Sequence, residues 1–512
     1  MQGQSPTEQP LQEAPNRAEA GRRPAAPDAV MPSPTARRCL LWIVATALFM
    51  EQLDSTIVNT ALPSMAASLH VPALGLRAVV TSYILSLAVC IPVSGWMADR
   101  FGTRRVFTSA VVLFTLSSVL CGASVSVPML VASRILQGIG AAMMVPVGRL
   151  LVIRSFAKSE LLVAMNFVIV PALIGPLLGP TLGGVIVHWT SWRAIFFVNV
   201  PVGLAALWLI RRHLPDYRGA APRPLDVVGL VLFSTGSTLL SWLIGVFGEH
   251  HFDAASAAVL LLAIGLLTAY GKHARRAEYP LLSLALFRMR TFRVSVAGGF
   301  VTRLGLGAMP LLLPLLYQLG LGLPAWQSGL LLLPVAAAAM AMKVLSPRIL
   351  ASHGYRKVLI VNTVMIGVSI GLFSRVGAGT PLVLVALLSL ALGLFNSLQF
   401  ASMNSMAYAD IDAAKSSMAT TIASTAQQMS MSFGLAFGSL LTVGFLGESA
   451  QSNQVAMSGA LHHVFLALGA LTLMSSLSFW TLRPQDGEAI SRGALRSMRP
   501  PAPKGPIRRR ST

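Results

Sequence analysis

The chain has 512 residues, of which 54% are hydrophobic and only 11% are charged, whereas about 25% of the residues in an average soluble protein are charged. This composition excludes a soluble globular enzyme. The formal net charge of +21 raises nucleic acid as a partner. Membrane proteins, however, concentrate Lys and Arg on their cytoplasmic loops, so the positions of the Lys and Arg residues determine whether the charge indicates nucleic acid or a membrane.

Apolar stretches long enough to cross a bilayer recur along most of the chain. A hydrocarbon core of about 30 Å requires a helix of about 20 residues, and the stretches that meet this requirement follow a six, two, six arrangement. We number them span 1 to span 14, with approximate bounds 39–62, 76–98, 106–125, 129–152, 160–187, 193–210, 227–247, 254–270, 295–318, 327–346, 357–375, 380–403, 416–446 and 457–482. The sequence therefore predicts an all-α polytopic membrane protein of fourteen spans.

The segments between and beyond the spans complete the predicted organisation. Residues 1–38 are rich in Pro, Ala and Gln and too polar to bury a core, so we predict a disordered cytoplasmic tail. An N-terminal six-helix bundle follows over 39–210, and basic linkers with two extra spans occupy 211–293. A C-terminal six-helix bundle over 294–482 and a basic cytoplasmic tail over 483–512 end the chain.

The basic residues indicate which side of the membrane holds the tails. Of the 39 Lys and Arg residues, 32 lie in the two tails and in the loops on the same side. The others are Arg77, Arg193 and Arg375 on the opposite side, and Arg134, Arg149, Arg303 and Lys343 within spans. Positive charge favours the cytoplasmic side, so both termini are expected there. The net charge is then explained without nucleic acid as a partner. The expected partner is the lipid bilayer, with Arg508, Arg509 and Arg510 against its anionic headgroups.

A short internal repeat indicates that the two halves are related. Residues 102–106 follow span 2 and read Gly-Thr-Arg-Arg-Val, while residues 354–358 follow span 10 and read Gly-Tyr-Arg-Lys-Val. Each segment comes after the second helix of a six-helix half. Two pseudo-symmetric halves with a site between them near the membrane midplane are an architecture of transporters.

The loop between spans 2 and 3 carries a family signature. Residues 95–105 read Gly-Trp-Met-Ala-Asp-Arg-Phe-Gly-Thr-Arg-Arg and resemble the loop motif of the major facilitator superfamily, matched at Gly95, Asp99, Arg100, Gly102, Arg104 and Arg105. A carboxylate at a helix end accepts hydrogen bonds from arginine and from the N-terminus of a neighbouring helix. We therefore predict a conformational latch at Asp99. The alternative is that the arginines only enforce topology.

Spans 4 and 5 carry two further motifs of the same superfamily. Residues 134–140 resemble its fourth-span motif, and span 5 resembles the antiporter motif of its drug-exporting branches. The residues of this second motif are Gly175, Pro176, Gly179, Pro180, Gly183 and Gly184. Glycines spaced by four line one helix face and permit close approach of another helix, and proline can bend a helix. We predict a hinge here, and a packing seam is compatible with it.

Residues 53–63 of span 1 and 192–201 of span 6 look like those of the fourteen-span drug:proton antiporters of the EmrB/QacA type. This resemblance covers about residues 39–482, including the central pair of spans. It implies a proton-coupled secondary transporter in a bacterial inner membrane that exports small molecules by alternating access, as in multidrug efflux. It also implies no cofactor, because the proton gradient supplies the energy. The sequence does not specify an adaptor protein.

Three ionisable residues in the first half are candidates for proton coupling. Ionisable groups inside a bilayer cost about 2.5–3.5 kcal/mol and are functional candidates by default. Asp54 and Arg134 lie at similar depths in spans 1 and 4, which are neighbours in the fold that the chain resembles, so Arg134 is predicted to hold Asp54 ionised. Glu51 lies on nearly the same helix face as Asp54. We rank Asp54 first as proton carrier and Glu51 second, as a relay or a recognition group for cationic cargo. The alternatives are a permanent structural bridge between Asp54 and Arg134, and a Glu51 that only bonds across the bundle.

Polar residues in several spans are candidates for lining a substrate cavity: Gln137, Arg303, Asn396, Gln399, Gln427 and Gln428. They could equally bond one helix to another. Arg303 is predicted near the midplane, whereas Lys343 is near a membrane surface and can extend its side chain to it. Positive charge repels cationic drugs, so an organic anion is the alternative to broad drug-like cargo.

A membrane-embedded enzyme is a remote alternative. Such an enzyme needs clusters of His, Asp or Cys at its membrane-facing loops, and the pairs His250–His251 and His462–His463 are the only hints. Adjacent residues point in different directions on a helix, so neither pair resembles a metal site. The three cysteines lie in or beside apolar segments and imply no disulfide framework. The sequence also has no G-x-x-x-x-G-K-[ST] motif, which binds the phosphates of ATP, so a primary pump formed by this chain alone is not expected.

Overall fold

The computed structural model describes residues 34–156, 158–218, 224–246, 253–411, 415–447 and 453–487, and all of the regular structure in these ranges is helical. Spans 1 to 8 are the helices Pro34–Leu69, Arg77–Phe101, Thr103–Gly122, Val127–Ser155, Lys158–Trp189, Asn199–His213, Val227–Val246 and Ala254–Arg276. Span 9 runs over Arg290–Gly320 in several segments, and spans 10 to 14 are Ala325–His353, Tyr355–Leu372, Leu382–Ala407, Ser416–Leu446 and Gln454–Ser475. The predicted fold of fourteen spans is confirmed.

Thirteen of these segments have the length and hydropathy needed to cross a membrane. Span 5 contains a shorter apolar part, Ile174–Trp189, within a helix of 32 residues. At about 1.5 Å per residue this helix is long enough to cross as well. Pro171, Pro176 and Pro180 all lie inside it. The helix nevertheless continues through all three prolines.

The ends of the chain differ from the sequence expectation in one respect. The tail was predicted to extend to residue 38, but span 1 begins at Pro34. Proline is favoured in the first turn of a helix, and Arg37 in the next turn pairs with Glu160 of span 5 at 3.1 Å. Residues 34–38 therefore belong to the bundle. The remainder of the predicted tails, 1–33 and 488–512, lies outside the described residues.

The halves meet at one face of the molecule. Since the number of spans is even, the described ends Pro34 and Gly487 lie on one side, which we call the tail face; the opposite side is the far face. The largest apolar core contains residues of both halves near the far face, including Leu62 of span 1 and Leu312 of span 9. Toward the tail face each half has a separate core.

Two hydrogen bonds also join the halves near the far face. The Gln318 side-chain amide donates to the Thr60 carbonyl at 3.0 Å, and the Thr181 hydroxyl donates to the Gly329 carbonyl at 3.3 Å. Spans 5 and 10 form one long contact between the halves, and spans 2 and 13 form another. The molecule is therefore closed at its far face.

Span 9 is a broken helix. Its central segments, Gly299–Gly307 and Met309–Leu315, are flanked by π-helical turns at Val294–Gly298 and Leu316–Gly320. Pro310 has no N–H to donate, so the regular hydrogen-bond pattern is interrupted beside it. Breaks of this kind inside a membrane are tolerated where they line a cavity. Arg303 lies in the first central segment.

The turns at the internal repeat, residues 102–106 and 354–358, have the same backbone conformation. Gly102 has a φ of +92° and Gly354 a φ of +74°, values that favour glycine. Each glycine donates its N–H to the residue four positions earlier, and each accepts a bond from the residue four positions later. The two halves therefore end span 2 and span 10, and begin the next spans, in the same way.

The two extra spans pack on the outside of the contact between the halves. Span 7 lies against spans 8, 13 and 2. At the tail face, Asp226 accepts hydrogen bonds from the Gly229 N–H, the His273 ring and the Leu281 N–H, at 2.7, 2.7 and 3.0 Å. Burial raises the pKa of Asp226, but these hydrogen bonds outweigh it and the pKa lies below its usual value. This ionised carboxylate ties the linker after span 8 to the start of span 7.

The glycines of span 5 form a tight seam with span 1. A Cβ added at Gly175 would lie 2.9 Å from the Cβ of Gln52, and one added at Gly179 would lie 2.1 Å from the Thr56 hydroxyl. One added at Gly183 would lie 2.4 Å from the Thr60 hydroxyl. Gly184 instead faces span 10 of the other half, where an added Cβ would lie 2.3 Å from a backbone carbonyl. The predicted close approach is present, and it binds span 5 to span 1.

This seam predicts that Gly179→Ala lowers the thermal stability of the detergent-solubilised protein, because overpacking costs about 1–3 kcal/mol. Thr56→Ala removes the hydroxyl that the new methyl group would meet, so the double variant should recover part of the loss. Gly265→Ala in span 8 is the matched control, since a Cβ there meets nothing within 4 Å. Equal melting temperatures for Gly179→Ala and Gly265→Ala would contradict the seam.

Candidate functional site

A buried ion pair joins spans 1 and 4. The Nη1 atom of Arg134 donates to Oδ2 of Asp54 at 2.6 Å, and both side chains are shielded from solvent. The contact that depth and resemblance predicted between these residues is present in the structure. Removing a charge from water costs several kcal/mol, so a pair at this position requires further hydrogen bonds to both partners.

Two amides supply those bonds to the carboxylate. Oδ1 of Asp54 accepts from the Gln137 side chain at 2.9 Å and from the Asn199 side chain at 2.8 Å. Asn199 also donates to the Ser118 hydroxyl at 3.0 Å. Three side chains therefore donate hydrogen bonds to this one carboxylate in this conformation. Asn199 lies in the motif of span 6, residues 192–201, but no role was predicted for it; an amide in an apolar span was the available signal.

The arginine is held as firmly as the carboxylate. Its guanidinium lies over the ring of Tyr83 with 4.1 Å between the guanidinium carbon and the ring centroid, an attractive cation–π geometry. Its Nε donates to the Val79 carbonyl at 3.3 Å, and Nη1 also donates to Oε1 of Gln137 at 2.7 Å. Spans 1, 2, 4 and 6 are therefore joined around one charge pair.

A cavity of about 410 Å³ lies between the two halves. Its polar wall comprises Glu51, Gln52, Ser55, Thr56, Asn59, Tyr83, Arg303, Asn396, Gln427 and Gln428. Pro176 and Pro180 of span 5 also reach it. Four of the six predicted cavity residues are thus on its surface: Arg303, Asn396, Gln427 and Gln428.

The other two predicted cavity residues lie elsewhere. Gln137 is fully buried against Asp54 and Arg134, inside the first half. Gln399 is buried between spans 11 and 12, where it donates to the Thr363 hydroxyl at 2.7 Å and accepts from Asn362 at 2.8 Å. Each has hydrogen-bond partners within its own half, which is why neither side chain turns toward the cavity.

The two carboxylates of span 1 also separate. Glu51 reaches the cavity wall, whereas Asp54 faces the interior of the first half. Tyr83 contacts both the cavity and the buried pair, because it lines the cavity and its ring packs on the guanidinium of Arg134. Glu51 and Tyr83 thus stand between the cavity and the buried pair.

Arg303 faces Glu51's cavity from the second half. The side chain is 8% exposed, and its guanidinium carbon lies 5.6 Å from the centroid of the Phe400 ring. Its Nε has no hydrogen-bond partner among the described residues. The cavity therefore has one acidic side chain from the first half and one basic side chain from the second. Lys343 is exposed and does not line this cavity.

The predicted latch is a contact between spans 2 and 4 at the tail face. The Nη2 atom of Arg154 donates to Oδ1 of Asp99 at 2.8 Å, with both side chains partly exposed. Arg104 is bound differently: its backbone N–H donates to Asp216 at 3.1 Å and its side chain donates to the Arg211 carbonyl at 2.9 Å. Arg154 lies outside the matched motif, so its part in the contact was not anticipated.

The remaining predicted latch residues and the candidate histidines lie at separate places in the structure. Arg100 and Arg105 are exposed at the tail face. A Cβ added at Gly95 would have no described atom within 4 Å. His462 and His463 bind different backbone carbonyls, at 2.7 and 2.9 Å. No group of three His, Cys, Asp or Glu suited to a metal occurs within the described ranges. The His250–His251 pair lies outside them.

The latch predicts a nonadditive effect on turnover. Asp99→Asn and Arg154→Gln should each lower the maximal rate of transport about two- to fivefold, because a partly exposed ion pair is worth up to about 1 kcal/mol. The double variant should be no slower than the slower single variant, since either change already breaks the pair. The rate is measured against cargo concentration in proteoliposomes, and KM should change little.

Arg276→Gln, which removes an exposed charge at the same face, is the control for this experiment. Additive losses in the double variant, or a large rise in KM with an unchanged rate, would contradict the latch.

Comparison with known proteins identifies the family. Residues 44–434 match the model of the Major Facilitator Superfamily. The chain is 39% identical over 442 residues to the multidrug resistance protein MdtD of Pectobacterium atrosepticum, covering 85% of this chain and 93% of the relative. It is 40% identical over 436 residues to MdtD of an Enterobacter species, covering 84% and 90%.

Solved structures share the fold at low identity. The POT family transporter PepTSo superposes with a TM-score of 0.65 at 14% identity, covering 90% of this chain and 99% of that one. A D-xylose-proton symporter has a TM-score of 0.62 at 15% identity, with coverage of 88% and 99%. A bacterial homologue of the human lysosomal transporter Spinster, in an inward-facing and unoccupied conformation, has a TM-score of 0.64 at 12% identity, with coverage of 92% and 100%. The chain belongs to the major facilitator superfamily of membrane transporters.

Proposed function

We propose that the protein exports small molecules in exchange for protons, as a multidrug efflux transporter that works by alternating access. The observation that carries this proposal is the buried Asp54–Arg134 pair beside a cavity between two pseudo-symmetric halves. The relatives named as multidrug resistance proteins support the export of drugs. The proton gradient is the energy source, and no cofactor is needed.

The tail face is the cytoplasmic face in this proposal. The distribution of Lys and Arg along the sequence supports it, and the bacterial relatives support placement in the inner membrane. Because the halves are joined at the far face and have separate cores toward the tail face, this conformation is inward-facing. Cargo enters the cavity from the cytoplasm in this state.

Coupling follows from the position of the three ionisable groups. Asp54 is ionised while Arg134, Gln137 and Asn199 donate to it, and protonation removes the charge that holds Arg134. In this proposal a proton reaches the buried site through groups at the cavity wall, and Glu51, which lines that wall, relays it. Protonation of Asp54 therefore loosens the contacts among spans 1, 4 and 6, and its deprotonation restores them.

Asp54→Asn is expected to abolish transport driven by an imposed proton gradient, because the amide keeps the shape of the carboxyl group without binding a proton. The variant should still exchange labelled for unlabelled cargo across the membrane. Both are measured in proteoliposomes with a fluorescent drug and an internal pH indicator. Asp253→Asn is the matched control, since Asp253 caps span 8 at the exposed far face. Gradient-driven export by Asp54→Asn at the rate of the control would refute the assignment.

A second cargo class follows from Arg303. A buried guanidinium with an unpartnered Nε at the cavity wall favours an anionic group on the cargo, so an organic acid is the alternative to cationic or neutral drugs. Glu51 at the same wall favours the cationic drugs. The effect expected of Arg303→Ala therefore differs between anionic and cationic cargo.

If cargo is anionic, Arg303→Ala should raise the KM for organic acids about tenfold or more, since a charged hydrogen bond is worth about 1.5–3 kcal/mol. Arg303→Lys should recover only part of that loss, because the planar fork of donors is missing. If cargo is cationic, Arg303→Ala should instead improve the export of cationic dyes. Lys343→Gln removes a positive charge of the same half away from the cavity and serves as control. An unchanged KM for both classes would mean that Arg303 does not contact cargo.

A further inference from the structure

A second cavity, of about 380 Å³, opens at the tail face of the second half, between spans 11 and 14. Its wall includes three basic side chains, His353, Arg356 and Lys357, and the indole of Trp480. No Asp or Glu is among the described residues that line it. This cavity is separate from the cavity between the halves and shares no residue with it.

An apolar surface runs from this cavity along the outside of the bundle. Val361, Met365, Val368 and Leu372 recur at intervals of four, three and four residues on span 11, and each is at least 40% exposed. That spacing places them on one helix face. Leu477 and Trp480, which follow span 14, are 65% and 59% exposed, and this segment packs against span 11. In a bilayer, exposed apolar side chains of membrane helices face lipid acyl chains.

The first half shows what the same turn binds. At the start of span 3 the carboxylate of Asp216 accepts the backbone N–H of Arg104 at 3.1 Å and lies 2.5 Å from a Cβ added at Gly102. In the second half the equivalent residues are Arg356 and Gly354. A Cβ added at Gly354 meets no described atom within 4 Å.

The carboxylate that follows span 14 does not reach the turn of the second half. Asp486 instead forms two hydrogen bonds with the guanidinium of Arg290, at 2.5 and 3.1 Å. The turn that binds a protein carboxylate in the first half is therefore open in the second half, and basic side chains surround it.

We propose that this cavity binds the phosphate of an anionic phospholipid, with the acyl chains along the exposed face of span 11. Arginine and lysine are the usual partners of phosphate in proteins. Tryptophan is favoured at the level of the lipid headgroups. The apolar surface that leads from the cavity selects a lipid over a free phosphate ion, because only a lipid covers both surfaces.

Trp480 provides a direct test. The full-length protein is reconstituted in phosphatidylcholine that contains small fractions of phosphatidylglycerol, with bromine on the acyl chains of one lipid or the other. Bromine quenches tryptophan on contact, and the signal of Trp480 is the difference between the wild type and Trp480→Phe. We expect phosphatidylglycerol to quench Trp480 with an apparent affinity at least about fivefold higher than that of phosphatidylcholine, since each nearby basic side chain favours an anionic lipid about this much.

Arg356→Gln combined with Lys357→Gln should abolish the preference for phosphatidylglycerol. Arg275→Gln combined with Arg276→Gln should retain it, because these exposed basic residues end span 8 and do not line the cavity. Equal quenching by the two lipids in the wild type would overturn the proposal, as would an unchanged preference in the Arg356/Lys357 variant. Loss of the preference on addition of millimolar inorganic phosphate, at constant ionic strength, would assign the site to a free anion and also overturn it.

Discussion

The buried pair of Asp54 and Arg134 is the interaction on which the architecture of the first half depends. Two charges removed from water are tolerable only if their remaining hydrogen-bonding groups are satisfied. This requirement brings Gln137, Asn199 and Tyr83 to one point and so joins four spans. The pair and its hydrogen-bond partners therefore hold these four spans together.

The second half has no comparable pair among its described residues. Arg303 lies in the broken span 9 and directs its charge at the cavity rather than at a carboxylate. The halves are similar in backbone, as the turns at Gly102 and Gly354 show, but they differ in electrostatics. One half holds its buried charges within its own bundle, and the other leaves a charge available to whatever occupies the cavity.

Hydropathy, spacing and charge were sufficient to predict the fold from the sequence. A bilayer imposes a length on every apolar helix, so the fourteen spans follow from the positions and lengths of the apolar stretches. The contact between Asp54 and Arg134 followed from their similar depth together with the family resemblance, which makes spans 1 and 4 neighbours. Depth is a distance along a helix axis, which the sequence records directly, whereas the adjacency of spans 1 and 4 came from the family resemblance.

The direction in which each side chain points was not predictable in the same way. Glu51 and Asp54 are three residues apart, which separates them by about 60° around the helix. That difference is enough for one to reach the cavity and the other to face the interior of the half. Gln399 was assigned to the cavity for the same lack of rotational information, and it lies between two helices instead. Resolving such angles requires the neighbouring helices, whose positions depend on tertiary packing.

The seam between spans 1 and 5 links this geometry to movement. Close packing at Gly175, Gly179 and Gly183 fixes span 5 to span 1, the helix that carries Asp54 and Glu51. A neighbouring face of span 5 touches span 10 of the other half through Gly184. A change at the buried pair that shifts span 1 must therefore move span 5 with it, and the contact with span 10 must adjust. In the proposed mechanism, proton binding at Asp54 is thereby coupled to the contact between the halves, which is the coupling that alternating access requires.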